Sequence, residues 1–517
     1  MATPREKFVE ALKKLKELQD KGVVAIHTDE LTRMYREILL KNGFLKEVFK
    51  GWYVPSDPSL KKGETTSWYS SYWDFMAKFI SFKYKEDWIL SADQSLFMHA
   101  GNWSVPKQLF VKSPKANNNP TQLPHHTSLF NLRSDLPGEE DTLIERRMRM
   151  YNLQSAIIYA SPAVYQGNSI DARTALSLIR DASEVLPILL EKGHSKIGGR
   201  LAGAFRNIGR GKIADQIVDT MKQAGYDIRE DDPFEYKLDL QLSSRERSPF
   251  VNRIKLMWHQ MRDKIIHDFI PMPGIPKDHE KYLKDVDDVY VTDAYLSLSI
   301  ERYKVTPELI ERVSSGEWDN DSSEEDLKAK DAMAARGYYQ AFGSVKETII
   351  KILEGANAGK QSDIDHQKWY RQLFDPSVTA GILKASDLAG YRSHQVYIGG
   401  SKHVPLNVDA MRDAMPLLFE LLENEPEASV RAVLGHFVFV LIHPYMDGNG
   451  RMGRFLMNVM LASGGYPWTV IPVEKRDEYM AALEKASAEQ DISAFSALLS
   501  YLVNEGLKGK PVAVLPS

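Results

Sequence analysis

The chain has 517 residues, a formal charge of −4 and no cysteine, so its length predicts several domains and its composition excludes disulfides, iron–sulfur clusters and thiolate chemistry. Hydrophobic residues make up 43% and charged residues 26%, proportions that allow buried cores and exclude disorder throughout. The N-terminal residues are charged and helix-patterned, so we expect no secretory signal. The longest apolar run, Val433–Ile442, is too short to cross a bilayer, and we expect a cytoplasmic protein without membrane contact.

Residues 1–56 predict a small module of three helices and a hairpin. Helical periodicity covers Glu6–Gln19, Thr28 can cap a second short helix, and a third spans about Arg36–Asn42. Phe44–Val54 alternates around a glycine, which indicates two paired strands. This order resembles a winged helix-turn-helix. Its 11 basic against 8 acidic residues favour DNA as the partner, and a protein-docking module is the alternative.

The middle of the chain divides into three segments by composition. Residues 57–135 are rich in aromatic and strand-like runs, which predicts a small α/β region. Residues 136–230 predict a helical region that begins with the charged run Glu139–Arg149. Residues 231–290 contain a proline-rich stretch and are expected to be a connector. Together with the winged helix, this order resembles the antitoxin-type regulators of abortive-infection systems.

Residues 291–503 are almost wholly helical in pattern, so we expect a mainly α protein. Within them, a buried apolar helix is followed by His443-Pro-Tyr-Met-Asp-Gly-Asn-Gly-Arg-Met-Gly-Arg454. Pro444 ends that helix and holds His443 at the edge of the core. The glycines of the following loop let N–H groups approach a ligand, and a second helix starting near Arg451 directs its positive end at that ligand.

These residue types predict phosphoryl or nucleotidyl transfer. His443 is the candidate general base, and Asp447 is the candidate Mg²⁺ ligand. Arg451 and Arg454 are forked donors suited to the outer phosphates of a nucleotide. His436, which lies seven residues earlier on the same helix face, is expected to be structural.

At these residues the sequence resembles the Fic family, whose signature is His-Pro-Phe-x-Asp/Glu-Gly-Asn-Gly/Lys-Arg-x-x-Arg, with Tyr445 in place of phenylalanine. The resemblance implies a helical Fic core over residues 291–503 and transfer of AMP from ATP, with Mg²⁺, to a Ser, Thr or Tyr hydroxyl of a protein, which can be the enzyme itself. It implies that His443 is the general base and that Asn449 faces the α-phosphoryl oxygens. The nucleotide-binding residues that it implies are Asp447, Gly448, Asn449, Gly450, Arg451, Arg454, Tyr479 and Met480.

Two further segments carry the resemblance. Residues 390–400 look like the flap hairpin that pins a target segment by strand pairing. Its candidate residues are Val396, Tyr397, Ile398 and Gly399. Ser297-Leu-Ser-Ile-Glu301-Arg302, in a helix near residues 293–302, resembles the inhibitory motif Ser/Thr-x-x-x-Glu-Gly/Asn. The Glu301 carboxylate would pair with Arg454 in the place of the ATP γ-phosphate, and Arg302 departs from the motif, which leaves the strength of inhibition open.

Two other functions remain open at this stage. One is removal of AMP from a modified protein, with Glu301 positioning a water. The other is a nucleotide-sensing, DNA-binding transcriptional regulator, although binding ATP does not require a base such as His443. Self-association into a homo-oligomer is a further hypothesis at this stage.

Overall fold

The computed structural model describes residues 3–58, 65–191, 193–238, 240, 248–315 and 330–516. The chain forms two compact units. Unit 1 comprises Met1–Arg253 and Tyr397–Val404, and unit 2 comprises Ile254–Val396 and Pro405–Ser517. The mainly α fold class is confirmed, and the strands of the described residues all lie in unit 1. No helix in the described part of the chain is long and apolar enough to cross a membrane.

The first part of unit 1 is a small α/β module with its own core. It comprises α1 (Pro4–Asp20), β1 (Ile26–His27), α2 (Arg33–Lys41), β2 (Leu45–Phe49) and β3 (Trp52–Pro55). The strands form an antiparallel sheet in the order β1-β3-β2, and Gly51, with a φ of 88°, lies in the turn of the hairpin. The predicted hairpin is therefore confirmed.

The helices of this module differ from those predicted. Thr28–Glu30 forms only a 3₁₀ turn, because Leu31 is extended after it. Helix α2 then runs across the predicted boundary at Arg36, since the Thr32 side chain caps its first turn. The predicted second helix is therefore wrong, and the predicted third helix is present as α2 with an earlier start. The assignment of the module as a winged helix stays a prediction.

The next part of unit 1 has the α/β character predicted for it. It comprises α3 (Thr66–Tyr84), β4 (Ile89–Leu90), α4 (Ala92–His99), β5 (Gln108–Ser113), β6 (Asn119–Gln122) and β7 (Ser128–Arg133). The sheet order is β4-β5-β7-β6, with β5 and β7 parallel. One face of α3 carries Trp68, Tyr72 and Phe75 into an aromatic core that includes Leu109 and Leu129 of the sheet.

The helix predicted at the start of residues 136–230 is wrong, because this part of the chain forms a hairpin. The charged run Glu139–Arg149 is a 3₁₀ turn followed by the antiparallel hairpin of β8 (Thr142–Glu145) and β9 (Met148–Tyr151). Burial with a period of two explains the result, because Met148 and Met150 are fully buried on one face of β9. Charge content alone did not distinguish this strand pattern from a helix.

The remainder of unit 1 is helical. It comprises α5 (Leu153–Tyr159), α6 (Ala163–Gly167), α7 (Ser169–Leu178), α8 (Leu186–Glu191), α9 (Ser195–Asn207) and α10 (Gly211–Gln223). Tyr397–Val404 also belongs to this unit: the Gly400 N–H donates to Thr66 Oγ1 at 3.1 Å, and the Val105 N–H donates to the Lys402 carbonyl at 2.9 Å.

The described residues 249–315 and 330–507 are mainly helical. Their helices are α11 (Pro249–Asp268), α12 (His279–Ile300), α13 (Pro307–Ser315), α14 (Lys330–Leu353), α15 (Ala358–Thr379), α16 (Val408–Asn424), α17 (Ala428–Ile442), α18 (Asn449–Ala462), α19 (Arg476–Glu489) and α20 (Ser493–Leu507). The expected connector 231–290 thus contains α11 and the start of α12. Buried Met257, Met261 and Ile265 recur along α11 at helical spacing, a signal that the prolines around it masked.

Gly337 allows α14 to approach α15 closely, which predicts a test of the packing in unit 2. A Cβ on Gly337 would lie 2.0 Å from the Leu373 carbonyl oxygen, whereas a Cβ on Gly343 of the same helix would meet nothing within 4 Å. Gly337→Ala should lower the free energy of unfolding by about 1–3 kcal/mol. Gly343→Ala should raise it by about 0.5–1 kcal/mol. Urea denaturation measures both, and equal effects of the two substitutions would contradict this packing.

Candidate active site

His443 lies at the break between two buried helices of unit 2. Helix α17 ends at Ile442, and His443 adopts a left-handed conformation with φ of 55° and ψ of 61°. Its N–H still donates to the Phe439 carbonyl at 3.0 Å, so the His443 backbone is joined to the last turn of α17. His443 therefore lies, half-buried, where the buried helix ends.

The environment of His443 keeps the imidazole neutral. Burial lowers the pKa of His443 to about 4, the Val440 carbonyl opposes this shift, and the charge of Arg392 adds to it. At neutral pH the ring is therefore unprotonated. It can accept a proton, which is what a general base requires.

The turn after His443 is held by an aromatic stack and an asparagine amide. Tyr445 is fully buried, and its ring lies parallel to that of Tyr370 with the centroids 3.8 Å apart. Asn449 Oδ1 accepts from the Tyr445 N–H at 2.9 Å, and Asn449 Nδ2 donates to the Tyr445 carbonyl at 2.8 Å. The Asn449 amide thus braces the turn in this structure, whereas the sequence analysis expected it to face the α-phosphoryl oxygens.

The N-terminus of α18 is built to approach an anion. Gly448 precedes this helix with a φ of 81°, and no side chain caps the terminus. A Cβ on Gly448 would lie 2.8 Å from the ring of Phe374, and one on Gly450 would lie 2.3 Å from Glu301 Oε1. Gly448 is therefore needed for its backbone conformation and for close packing against Phe374, whereas at Gly450 the Glu301 carboxylate lies directly against the backbone. The helix begins at Asn449, two residues before the position that we predicted, so its positive end lies at the Gly448–Gly450 segment.

Arg454 binds the end of α12. Its Nε donates to Ser297 Oγ at 2.9 Å, and its Nη2 donates to Glu301 Oε1 at 2.9 Å and to the Ser297 carbonyl at 3.1 Å. The sequence predicted this pairing of Glu301 with Arg454, and the structure contains it. Burial raises the pKa of Glu301, but the nearby Arg454 and Arg451 charges outweigh burial and hold it below its usual range. The carboxylate is therefore ionised at neutral pH.

Arg302 explains how α12 ends. The Arg302 N–H donates to the Ser299 carbonyl at 2.9 Å and the Tyr303 N–H donates to the Leu298 carbonyl at 3.0 Å, which is the Schellman arrangement. This arrangement places Arg302 in the left-handed region, with a φ of 66°. Glycine and asparagine are favoured there, so the departure of this residue from the inhibitory motif introduces backbone strain into the turn that presents Glu301.

Arg451 lies in an aromatic clamp that the sequence did not predict. Its guanidinium is 5.1 Å from the centroid of Tyr303 and 5.0 Å from that of Phe374, and the residue is 1% exposed. The guanidinium also reaches Asp447 Oδ2 at 3.5 Å. The Arg451 guanidinium is therefore held in one orientation before a phosphate could bind at the N-terminus of α18.

Asp447 suits a Mg²⁺ ion that arrives with a nucleotide. Its side chain is 67% exposed, and its Oδ1 accepts from the Gly448 N–H at 2.6 Å. Mg²⁺ is commonly held by one or two carboxylates together with phosphate oxygens and waters, so a single exposed carboxylate beside an anion site fits this ion. Among the described residues no cluster of three or more His, Asp or Glu side chains forms a metal site made by protein alone.

Tyr479 and Met480, the last two of the expected nucleotide-binding residues, differ in exposure. Tyr479 is 2% exposed, and its hydroxyl lies 2.8 Å from His436 Nε2, within a core that includes Phe495. Its side chain offers a nucleotide little surface in this structure, whereas Met480 is exposed. Burial lowers the pKa of His436 to about 4, and this neutral core histidine agrees with the structural role expected for it.

The predicted flap hairpin is wrong as a pair of strands. Residues 390–405, which include Val396, Tyr397, Ile398 and Gly399, form a two-legged loop without strand pairing. The side chain of Arg392 donates to the carbonyls of His394 and Leu406, and Gln395 Nε2 donates to the Pro405 carbonyl at 2.8 Å. These side-chain bonds join the legs where strand pairing was expected, since an isolated two-stranded ribbon has little stability of its own.

Two buried helices of the mainly helical unit 2 thus place a neutral imidazole before the uncapped N-terminus of the second helix. Residues 365–461, which contain this pair, match the model of the Fic/DOC family. The chain therefore contains a Fic domain.

Curated relatives and a solved structure are similar to parts of this chain. The protein adenylyltransferase Fic of Drosophila willistoni is 39% identical over 109 residues, which is 20% of this chain and 21% of that protein. The protein adenylyltransferase fic-1 of Caenorhabditis elegans is 34% identical over 100 residues, which is 19% of each. The chain thus spans about a fifth of the length of the curated relatives it matches. The solved structure of Fic-1 (residues 134–508) from C. elegans aligns with 14% identity and a TM-score of 0.37, over 68% of this chain and 97% of that one.

The buried hydroxyl of Tyr445 predicts how this site tolerates substitution. It finds no hydrogen-bond partner within the described residues, while the ring keeps the stack on Tyr370. Tyr445→Phe should leave the free energy of unfolding unchanged or raise it by about 1 kcal/mol, because an unsatisfied buried hydroxyl is removed. Tyr445→Ala should lower it by about 3–5 kcal/mol, since the stack is lost. Thermal unfolding of both variants is the measurement, and a large loss for Tyr445→Phe would show that the hydroxyl has a partner.

Proposed function

We propose that this protein is an adenylyltransferase that moves AMP from ATP to a Ser, Thr or Tyr hydroxyl of a protein and that Glu301 inhibits it. One observation carries the proposal: the ionised Glu301 carboxylate lies against Gly450 and Arg454 at the N-terminus of α18. This contact supports the proposal, because an internal anion lies where the positive end of α18 would attract a nucleotide phosphate. The names of the matching relatives support adenylyl transfer as the general reaction.

In the proposed reaction, the His443 imidazole accepts the proton of the target hydroxyl. The hydroxyl oxygen forms a bond to the α-phosphorus in line with the leaving group, and the bond from that phosphorus to the bridging oxygen breaks to release pyrophosphate. The amides of Gly448–Gly450 and the positive end of α18 would stabilise charge on the phosphoryl oxygens. Since the Asn449 side chain braces Tyr445, we assign it to holding these amides in place.

The proposed nucleotide is ATP with Mg²⁺, and Asp447 would hold the ion. Bound there, Mg²⁺ would neutralise charge on the phosphates and help pyrophosphate to leave. Arg451 and Arg454 would bind the outer phosphates, and Met480 is the exposed candidate for a contact with the base. Arg454 then has two alternative anionic partners, Glu301 and a phosphate, and this competition is the proposed inhibition.

Removal of AMP from a modified protein is the second candidate, and one observation favours it. The Glu301 side chain is 32% exposed although its carboxylate is fixed by Arg454, so it could also position a water near the same helix end. The regulator hypothesis has less support, because a neutral, partly buried His443 is not needed to bind a nucleotide. Binding of DNA by residues 1–56, a cytoplasmic location and homo-oligomer formation stay predictions.

Substitution of His443 tests its role as the base. His443→Ala should lower incorporation of label from α-labelled ATP by about 10²–10⁴-fold, because proton transfer is lost. Calorimetric ATP affinity should stay nearly unchanged, since the imidazole does not hold phosphate. With the lowered pKa of His443, labelling should be constant from about pH 6 to 8 and fall only as the pH approaches about 4. A collapse of ATP affinity together with activity would contradict this role.

Substitution of Glu301 tests inhibition. Glu301→Gly should raise self-labelling and ATP affinity about tenfold or more, since a charge-assisted contact with Arg454 is worth about 1.5–3 kcal/mol. In an Arg454→Ala background the same substitution should not restore activity, because the phosphate partner is then missing. Unchanged labelling in Glu301→Gly would exclude the inhibitory role, and loss of AMP removal from a premodified target would favour the second candidate.

Substitution of Arg302 tests the strain in the turn that presents Glu301. Arg302→Gly should reduce self-labelling up to about fivefold, because relief of about 1 kcal/mol of left-handed strain stabilises the inhibited state. Arg302→Ala is the matched control, since it removes the same side chain but keeps the Cβ. Equal labelling by the two variants would show that the side chain, and not the backbone, sets the level of inhibition.

A further inference from the structure

Arg392 joins the flap to the turn that carries His443. The residue is 1% exposed and lies in unit 2, immediately before the exposed part of the flap. Its Nε donates to the His443 carbonyl at 2.8 Å, and its backbone N–H donates to the Pro444 carbonyl at 2.9 Å. Two consecutive peptide groups of the catalytic turn are therefore bound to one residue of the flap.

The remaining donors of the same guanidinium hold the two legs of the flap. Nη1 donates to the His394 carbonyl at 2.9 Å in the first leg, and Nη2 donates to the Leu406 carbonyl in the second. The planar fork of the arginine thus fixes three separate backbone segments relative to one another. A lysine ammonium, with its single nitrogen, cannot reach all three in this geometry.

The acceptors of these bonds are all neutral carbonyls. Burial lowers the pKa of Arg392. Burying a cation in this way is costly, but an apolar side chain of similar size would leave these backbone carbonyls without their donor. The hydrogen bond to the His443 carbonyl restrains the backbone of His443 in its left-handed conformation. The backbone does not favour this conformation on its own.

We propose that Arg392 is a positioning residue of the transfer reaction. It fixes the His443 peptide relative to the backbone at His394 and Leu406, so that the imidazole meets a target hydroxyl in one orientation. This inference rests on the proposed adenylyl transfer. Within the described residues, the side chain of Arg392 donates to backbone carbonyls only, and none of these belongs to a residue proposed to bind phosphate or Mg²⁺. Its loss should therefore affect the transfer step and leave nucleotide binding intact.

The test uses the full chain with Glu301→Gly as the parent, so that the activity is not inhibited. Arg392→Met and Arg392→Lys are compared with Arg431→Met. Arg431 is a matched control because its guanidinium also binds backbone carbonyls, those of Glu425 and Pro426, but near the opposite end of α17. The measurements are the melting temperature, the calorimetric ATP affinity, and the self-labelling rate as a function of ATP concentration.

Arg392→Met should lower the rate at saturating ATP by about 10–100-fold, as loss of an orienting contact commonly does. The ATP concentration at half-maximal rate and the ATP affinity should change by less than about twofold. Arg392→Lys should recover part of the rate, because the ammonium still donates to some of the carbonyls. Arg431→Met should keep the rate within about twofold even where it lowers the melting temperature.

Several results would overturn the inference. These are a rate for folded Arg392→Met within twofold of the parent, an equal loss in Arg431→Met, or a loss confined to the half-saturating ATP concentration. If Arg392→Met does not fold, Arg392→Lys decides, and an unchanged rate in that variant overturns the inference. Absence of labelling in the parent would overturn the proposed function and this inference with it, whereas labelling that the Arg392 variants retain overturns this inference alone.

Discussion

The backbone break at His443 is the constraint on which the site depends. Helix α17 is buried along nearly its whole length, and its direction is therefore set by the core. The left-handed His443 and the following Pro444 end that helix at a fixed point, and the braced turn at Tyr445 brings the chain back into α18. Because both helices are buried, the imidazole and the positive end of α18 have little freedom to move apart. A left-handed residue costs about 1–2 kcal/mol, which the bonds to the carbonyls of residues 443 and 444 help to offset.

Three buried arginines lie near this break, and their partners differ. Arg392 binds neutral carbonyls. Arg451 lies between aromatic rings and also reaches the Asp447 carboxylate, at 3.5 Å. Arg454 makes a closer contact with a carboxylate, 2.9 Å to Glu301. An incoming phosphate could replace a carboxylate partner of the same charge, whereas the carbonyls bound by Arg392 belong to the backbone of the site and stay in place.

The sequence predicted those parts of the site that depend on local spacing. His443, Gly448 and Arg454 follow from a helix end, a glycine turn and a new helix, and the approach of Glu301 to Arg454 followed from the family resemblance. Contacts that depend on the packing of distant segments were not predictable in this way. The clamp of Tyr303 and Phe374 on Arg451 brings together residues of α15, α18 and the turn after α12, and no local pattern marks either ring. The helix prediction for Glu139–Arg149 was wrong for another reason. The charges of this run are compatible with a helix as well as with a strand, and only the burial of Met148 and Met150 distinguishes the two structures.

The two hydrogen bonds between the Asn449 amide and the Tyr445 backbone also affect the chemical stability of the site. Asn449 is followed by Gly450, and an Asn-Gly pair is especially prone to deamidation, since the glycine nitrogen can attack the side-chain carbonyl and release ammonia. Here the amide is 3% exposed, is held at both ends by the Tyr445 backbone and lies in the first turn of a helix, so the approach of that nitrogen is hindered. Conversion to aspartate would replace the donor that binds the Tyr445 carbonyl with a second acceptor, and the two oxygens would repel each other. The same two hydrogen bonds that shape the turn therefore also protect it from a covalent change that it could not accommodate.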